Sequence, residues 1–323
     1  MRQKWIDIVR SILIVLVVFG HSAFIQYYSN WHAVIYWFHM PAFFFLSGYV
    51  FKPKESYIRQ AKLITKRLLI PYGIIVVGIT CYRYMLTPMS TDIWDELRNI
   101  LLGGRFIDGF YAPVWFITCL WATQLIYTAV IKLPNGYMWL LILFMFTVAH
   151  FQPSSWKLPG SIDLSLYAIL FYALGHQIKW IVNWYCCALG ALSFLFFYYL
   201  ASQQSISFAL DMKQHVLNGK FDLLIPLSGI LMIVGIGKVL EKITLGDIFV
   251  PIGKESLNIM YLHLITTLEL YRLGAYTNIF LFVFLGIGLP MIINSIMQFA
   301  IRGIIIIKKR AQISKNNLRR LDI

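Results

Sequence analysis

Charge is scarce in this chain: only 14 of its 323 residues are acidic, and the four charged residue types together make up 13%, too little to coat a soluble globule of this size. Cysteine is sparse as well. Cys81, Cys119, Cys186 and Cys187 fall in or beside apolar runs, without the paired spacing of a zinc site or a disulfide framework. No unit repeats along the chain, which excludes a solenoid or a propeller. No polar segment is long enough to form a separate soluble domain. What remains is hydrophobicity, at 59% of residues and a mean hydropathy of +0.70, gathered into runs long enough to cross a bilayer core of about 30 Å.

Ten such runs are expected, at 6–26, 34–51, 68–86, 112–131, 136–150, 164–180, 184–201, 221–240, 255–272 and 278–300. The expected fold is therefore all-α, a polytopic membrane bundle of about ten transmembrane helices over residues 1–303, followed by a basic tail at 304–323. An even number of spans puts both termini on one side. About three-quarters of the 28 Lys and Arg residues fall on that same side, the bias expected of cytoplasmic segments. The net charge of +14 is then a matter of topology and anionic headgroups rather than of nucleic acid. Arg2 and Lys4 imitate the start of a secretory signal, but Arg10 interrupts the apolar run and no small-residue cleavage site follows, so the first helix is expected to stay. Between spans, Lys52 to Arg67 reads as a basic amphipathic inner loop, and Thr87 to Ala112 and Ser202 to Lys220 read as outer loops.

An ionisable side chain inside a span is unfavourable by a few kcal/mol on insertion scales and is a functional candidate by default. The first helix has two. Arg10 and His21 are eleven residues apart, which returns them to nearly one helix face about 16 Å apart along the axis. A cation on one side suits an anionic donor, and an imidazole deeper in can take the proton of an attacking hydroxyl near neutral pH. The plain alternative is that Arg10 pairs with Asp7 one turn earlier while His21 hydrogen-bonds within the bundle. His39, at a similar depth on the second span, either pairs with His21 in acid–base work or satisfies carbonyls freed by a kink at Pro41. His263 and Ser256 share one face of the ninth span, as a polar lining or as interhelical glue. Arg67 is a second donor-side cation or a topogenic charge, and Trp115 a channel wall or an interfacial anchor. A metal held by His21, His39 and His263 has no carboxylate companion or close histidine spacing behind it, so no metal is expected.

Two blocks carry a family resemblance. Trp5-Ile6-Asp7-Ile8-Val9-Arg10, then ten residues, then His21, and Phe38-His39-Met40-Pro41-Ala42-Phe43-Phe44-Phe45-Leu46-Ser47-Gly48-Tyr49 resemble the opening spans of membrane acyltransferase family 3, which includes bacterial O-acetyltransferases of surface glycans. The second block looks closest to the fucose 4-O-acetylase-like branch. Lys66-Arg67-Leu68-Leu69-Ile70-Pro71-Tyr72, Trp115-Phe116, Ile252-Gly253-Lys254-Glu255-Ser256-Leu257 and Tyr261-Leu262-His263 are similar to later motifs of the family, in family order. The doubled arginine that some relatives have before the third span is here Lys66-Arg67.

The resemblance implies an O-acetyltransferase of the bacterial cell membrane, with acetyl-CoA as co-substrate, no bound cofactor, and a lipid-linked, capsular or exopolysaccharide glycan as acceptor. On that view Arg10 and Arg67 hold acyl-CoA, His21 and His39 are the catalytic pair, and Trp115, Ser256 and His263 line the acceptor channel. A competing expectation from another class is a transporter or flippase that uses the same polar cavity without acyl transfer. A purely structural membrane subunit fits the hydrophobicity but leaves Arg10 and the histidines without a role.

Overall fold

The computed structural model describes residues 3–22, 29–86, 93–217, 219–243, 246–274 and 278–299; the basic tail expected at 304–323 lies outside them. Among the described residues the chain is helical and has no strand, only an isolated bridge between Asp211 and Val216. In chain order the helices are α1 (Lys4–Gly20), α2 (Ser29–Tyr36), α3 (His39–Tyr49), α4 (Tyr57–Leu86), α5 (Ile93–Leu102), α6 (Trp115–Val130), α7 (Asn135–Phe151), α8 (Ile162–Gln177), α9 (Trp184–Ser202), α10 (Leu224–Glu241), α11 (Gly246–Lys254), α12 (Ser256–Arg272) and α13 (Ile279–Phe299).

Five helices are long and apolar enough to cross a membrane, namely α4, α6 with the short turn before it, α9, α10 and α13. Their burial separates two kinds of helix. In α6 78% of the most apolar stretch is buried, whereas in α9 it is 17% and in α13 22%. Thus α6 is a core helix, while α9 and α13 turn Leu189, Leu192, Leu195, Phe280, Phe284 and Ile296 outward, as lipid-facing helices do. Helices α1, α3 and α8, of 17, 11 and 16 residues, are shorter and bury most of their side chains.

Every expected apolar run overlaps a helix, and two segments differ from the sequence reading. The second run is broken: α2 ends at Tyr36 and α3 starts at His39. Pro41 falls in the first turn of α3, where a missing N–H loses no helical partner. His39 Nδ1 donates to the Ile35 carbonyl at 2.8 Å, reinforcing the long 3.4 Å bond that this carbonyl accepts from the Phe38 N–H at the break. The supposed inner loop from Lys52 is also largely helical, because α4 begins at Tyr57 and runs for 30 residues, about 45 Å at 1.5 Å per residue. That exceeds the hydrocarbon thickness, so the basic first turns project beyond it.

Helices α3 and α8 form one of the tightest seams. A Cβ at Gly48 would lie 1.9 Å from the Tyr172 carbonyl oxygen, and one at Gly175 would lie 2.0 Å from that of Phe45. Glycine at both places lets the two backbones touch, the small-residue route to close packing where lipid offers no hydrophobic drive between helices. Phe44, Phe45, Phe171 and Tyr172 fill the space around the contact and are fully buried.

Candidate functional site

Helix α1 is continuous from Lys4 to Gly20, so Arg10 and His21 keep their expected axial separation, yet they do not open onto one cavity. His21 is the residue that closes the helix. Its backbone N–H reaches the carbonyls of Val17 and Val18, both at 3.2 Å, and its side chain is exposed to a cavity of about 210 Å³. Val17, Tyr36, His39 and Trp115 line the same cavity, and Asp211, Lys213 and Gln214 close it.

The ring beside His21 is that of His263, with centroids 5.2 Å apart. His263 comes from the middle of α12 and is fully buried. Its Nδ1 lies 2.9 Å from the Ile259 carbonyl and 3.1 Å from that of Met260, and a carbonyl only accepts, so Nδ1 carries the proton. Among the described residues the lone pair of Nε2 has no donor. His39 has the same tautomer for the same reason, because Nδ1 donates to Ile35, and Tyr36 is its ring neighbour at 4.9 Å. The cavity therefore gathers side chains from α2, α3, α6, α12 and the end of α1; its two imidazoles are those of His21 and His39, and His263 packs against His21 without lining it.

A second cavity, of about 180 Å³, is lined by Arg10, Arg67, Lys254, Ser47 and Ser256. One expected residue is thus placed apart from the sequence reading. Trp115 is on the histidine side, as a channel wall would be, but Ser256 sits with the arginines. Ser256 and His263 share a face of α12, yet seven residues separate them by about 10 Å along the axis, which puts them at different depths. Arg10 approaches the buried Asp7 carboxylate at 3.9 Å, so its charge is oriented from behind. Around Arg67, Pro71 lacks the N–H that would bond the Arg67 carbonyl, and Tyr261 of α12 donates to the next carbonyl, Leu68, at 3.1 Å. A third recess of about 310 Å³ adjoins the other side of Arg10 and is bordered by Asp7, Tyr49, Lys52 and Lys179.

The wall of the histidine cavity is pinned from outside the bundle. Arg105, 5% exposed, donates to the fully buried Asp163 at 3.1 Å, to the Trp156 carbonyl at 2.8 Å and to the Lys213 carbonyl at 3.0 Å. Lys213 in turn pairs with Asp108. His215, in the same loop, is held below the ordinary histidine range by burial and by the nearby Arg105 guanidinium.

Sequence reasoning missed Tyr36, Lys254 and the 211–214 wall. Tyr36 stands one turn before His39, and Lys254 lies inside a block already singled out, but the wall residues read only as a polar connector. Among the described residues no three His, Cys, Asp or Glu side chains form a metal-ligating cluster. The arrangement can hold an anion on one side and exchange a proton on the other.

A family model described as an acyltransferase domain matches residues 3–299, nearly the whole chain. No curated protein and no solved structure matches it.

Proposed function

The chain belongs to this acyltransferase family, and from that premise we propose that it is a membrane O-acetyltransferase of the fucose 4-O-acetylase-like branch. It moves an acetyl group from cytoplasmic acetyl-CoA to a hydroxyl of a lipid-linked or cell-surface glycan in the bacterial cell membrane. The observation that carries this reading is the pair of adjoining cavities, one lined by fixed cations and the other by imidazoles. CoA bears several phosphate charges and does not cross lipid, so it enters from the cytoplasmic side, where Arg10 and Arg67 take it through charge-assisted hydrogen bonds. The glycan hydroxyl enters the histidine cavity.

As the hydroxyl oxygen attacks the thioester carbonyl, His21 accepts its proton; the C–O ester bond forms, the C–S bond breaks, and the proton passes to the departing CoA thiolate. His39 is the partner of His21 on the acceptor side, and Trp115 lines the acceptor's approach. His263 orients His21 through the neighbouring ring. Ten spans with both termini cytoplasmic, residues 1–303 as the membrane body and 304–323 as a basic tail complete the proposed topology. It is supported by the overlap of every apolar run with a helix and by the bias of basic residues.

Radiolabelled acetyl-CoA supplied to membranes containing the protein tests the reading. Label is expected in the glycan fraction, and none in membranes carrying His21→Ala at equal protein level. Label that stays on CoA in the wild type, with the glycan present, rejects it.

A further inference from the structure

The two cavities meet at one side chain. Among the described residues Met260 alone lines both, and it is 3% exposed. Its position on α12 is specific. Ser256, one turn earlier, borders the arginine cavity, and His263, three residues later, packs against His21. At 1.5 Å per residue, Ser256, Met260 and His263 span about 10 Å of a single helix face, with the thioether at the boundary. The Met260 carbonyl also lies 3.1 Å from His263 Nδ1, so the backbone that carries the partition also helps fix the ring behind His21. Methionine suits a movable wall: it is unbranched and rotates about three side-chain bonds, so it can fill a gap or clear it without backbone motion.

We propose that Met260 is the partition between the donor and acceptor cavities and sets the size of the acyl group that crosses from one to the other. The proposal rests on the acyltransferase reading above. A thioester presented from the arginine side meets the glycan hydroxyl only where Met260 stands. The acyl carbon must therefore pass its side chain while the C–S bond is exchanged for C–O. The space the thioether leaves selects a short acyl chain, and truncation to alanine, which removes Cγ, Sδ and Cε, admits a longer one. A tryptophan at the same place seals the boundary.

The test uses membranes containing the full chain and its native glycan, supplied with acetyl-CoA or butyryl-CoA labelled in the acyl group. Label on glycan and free CoA thiol are both measured, and thermal unfolding is followed separately on the purified protein. Met260→Ala is expected to raise the butyryl-to-acetyl transfer ratio at least about tenfold, the discrimination typical of added methylenes in an apolar slot. Met260→Trp is expected to lower acetyl transfer about a hundredfold, a loss equal to two decades of kcat, while its thermal unfolding in detergent stays close to that of the wild type, which reports that it folds. Met260→Leu, close in volume, should retain both the rate and the ratio. An unchanged ratio in Met260→Ala, or transfer at the wild-type rate in Met260→Trp, overturns the partition while leaving the acyltransferase reading standing. Wild-type membranes that transfer neither acyl group overturn both.

Discussion

Around Arg10 the bundle gathers cationic side chains; around His21 it gathers imidazole rings, which on the proposed reading take a proton and return it. The arginine side is built from side chains whose heads are steered by neighbours, as Arg10 is by Asp7. The histidine side is built from rings anchored through Nδ1 to main-chain carbonyls, as in His39 and His263. Fixed charge recognises a polyanion without reacting with it, and a neutral imidazole reacts without binding strongly. Damage to one side should therefore show in substrate affinity, and damage to the other in turnover.

The sharpest break of that division is His21→Ala. It should lower glycan transfer by about a hundredfold to ten-thousandfold, the range for a lost general base, and leave CoA binding unchanged by calorimetry. Arg105→Ala attacks the wall of the histidine cavity instead. It strands the fully buried Asp163 without its partner, and thermal unfolding in detergent should report a loss of about 3–5 kcal/mol. On the other side, Arg10→Ala or Arg67→Ala should each raise the KM for acetyl-CoA about tenfold with a smaller change in kcat, since each removes a charged hydrogen bond of about 1.5–3 kcal/mol. The remaining affinity should depend less steeply on salt.

The smallest effect concerns pH. Folding holds His215 neutral by burial and by the Arg105 charge, so its folded pKa lies below the unfolded value of about 6.5. The stability this gives is present above that value and is lost as the pH falls through it. Between about pH 7.5 and pH 5.5 the wild type should lose more thermal stability than His215→Gln, with donor binding alike in the two.

The division between the sides is partly legible in the sequence. Arg10 and His21 lie on one continuous helix, so their separation follows from the period alone, and hydropathy marks α4, α9 and α13 because those helices face lipid and have little else to encode. The break between α2 and α3 was half visible: Pro41 signalled a disturbance, but its place in the first turn, with His39 taking the Ile35 carbonyl, depends on where the helix restarts. The contact between His21 and His263 joins residues 242 positions apart, and that between Arg105 and Asp163 joins residues 58 apart; neither has a local signature. That Ser256 borders the arginine cavity was not legible, because a shared helix face says nothing about depth across a boundary set by other helices.

The seam at Gly48 and Gly175 bears on how solutes can reach the centre. Helix α3 contributes His39 and Met40 to one chamber and Phe43 and Ser47 to the other, and over this length it is held backbone to backbone against α8. A rocker-type carrier works by swinging one half of the protein so that a central binding point faces the two sides in turn. With both chambers riding on a single clamped strut, such a swing would shift the two entrances together rather than alternately. Glycine at positions 48 and 175 thus ties both chambers to one closely packed helix pair, an arrangement that fits the proposed transfer between two substrates better than alternating access.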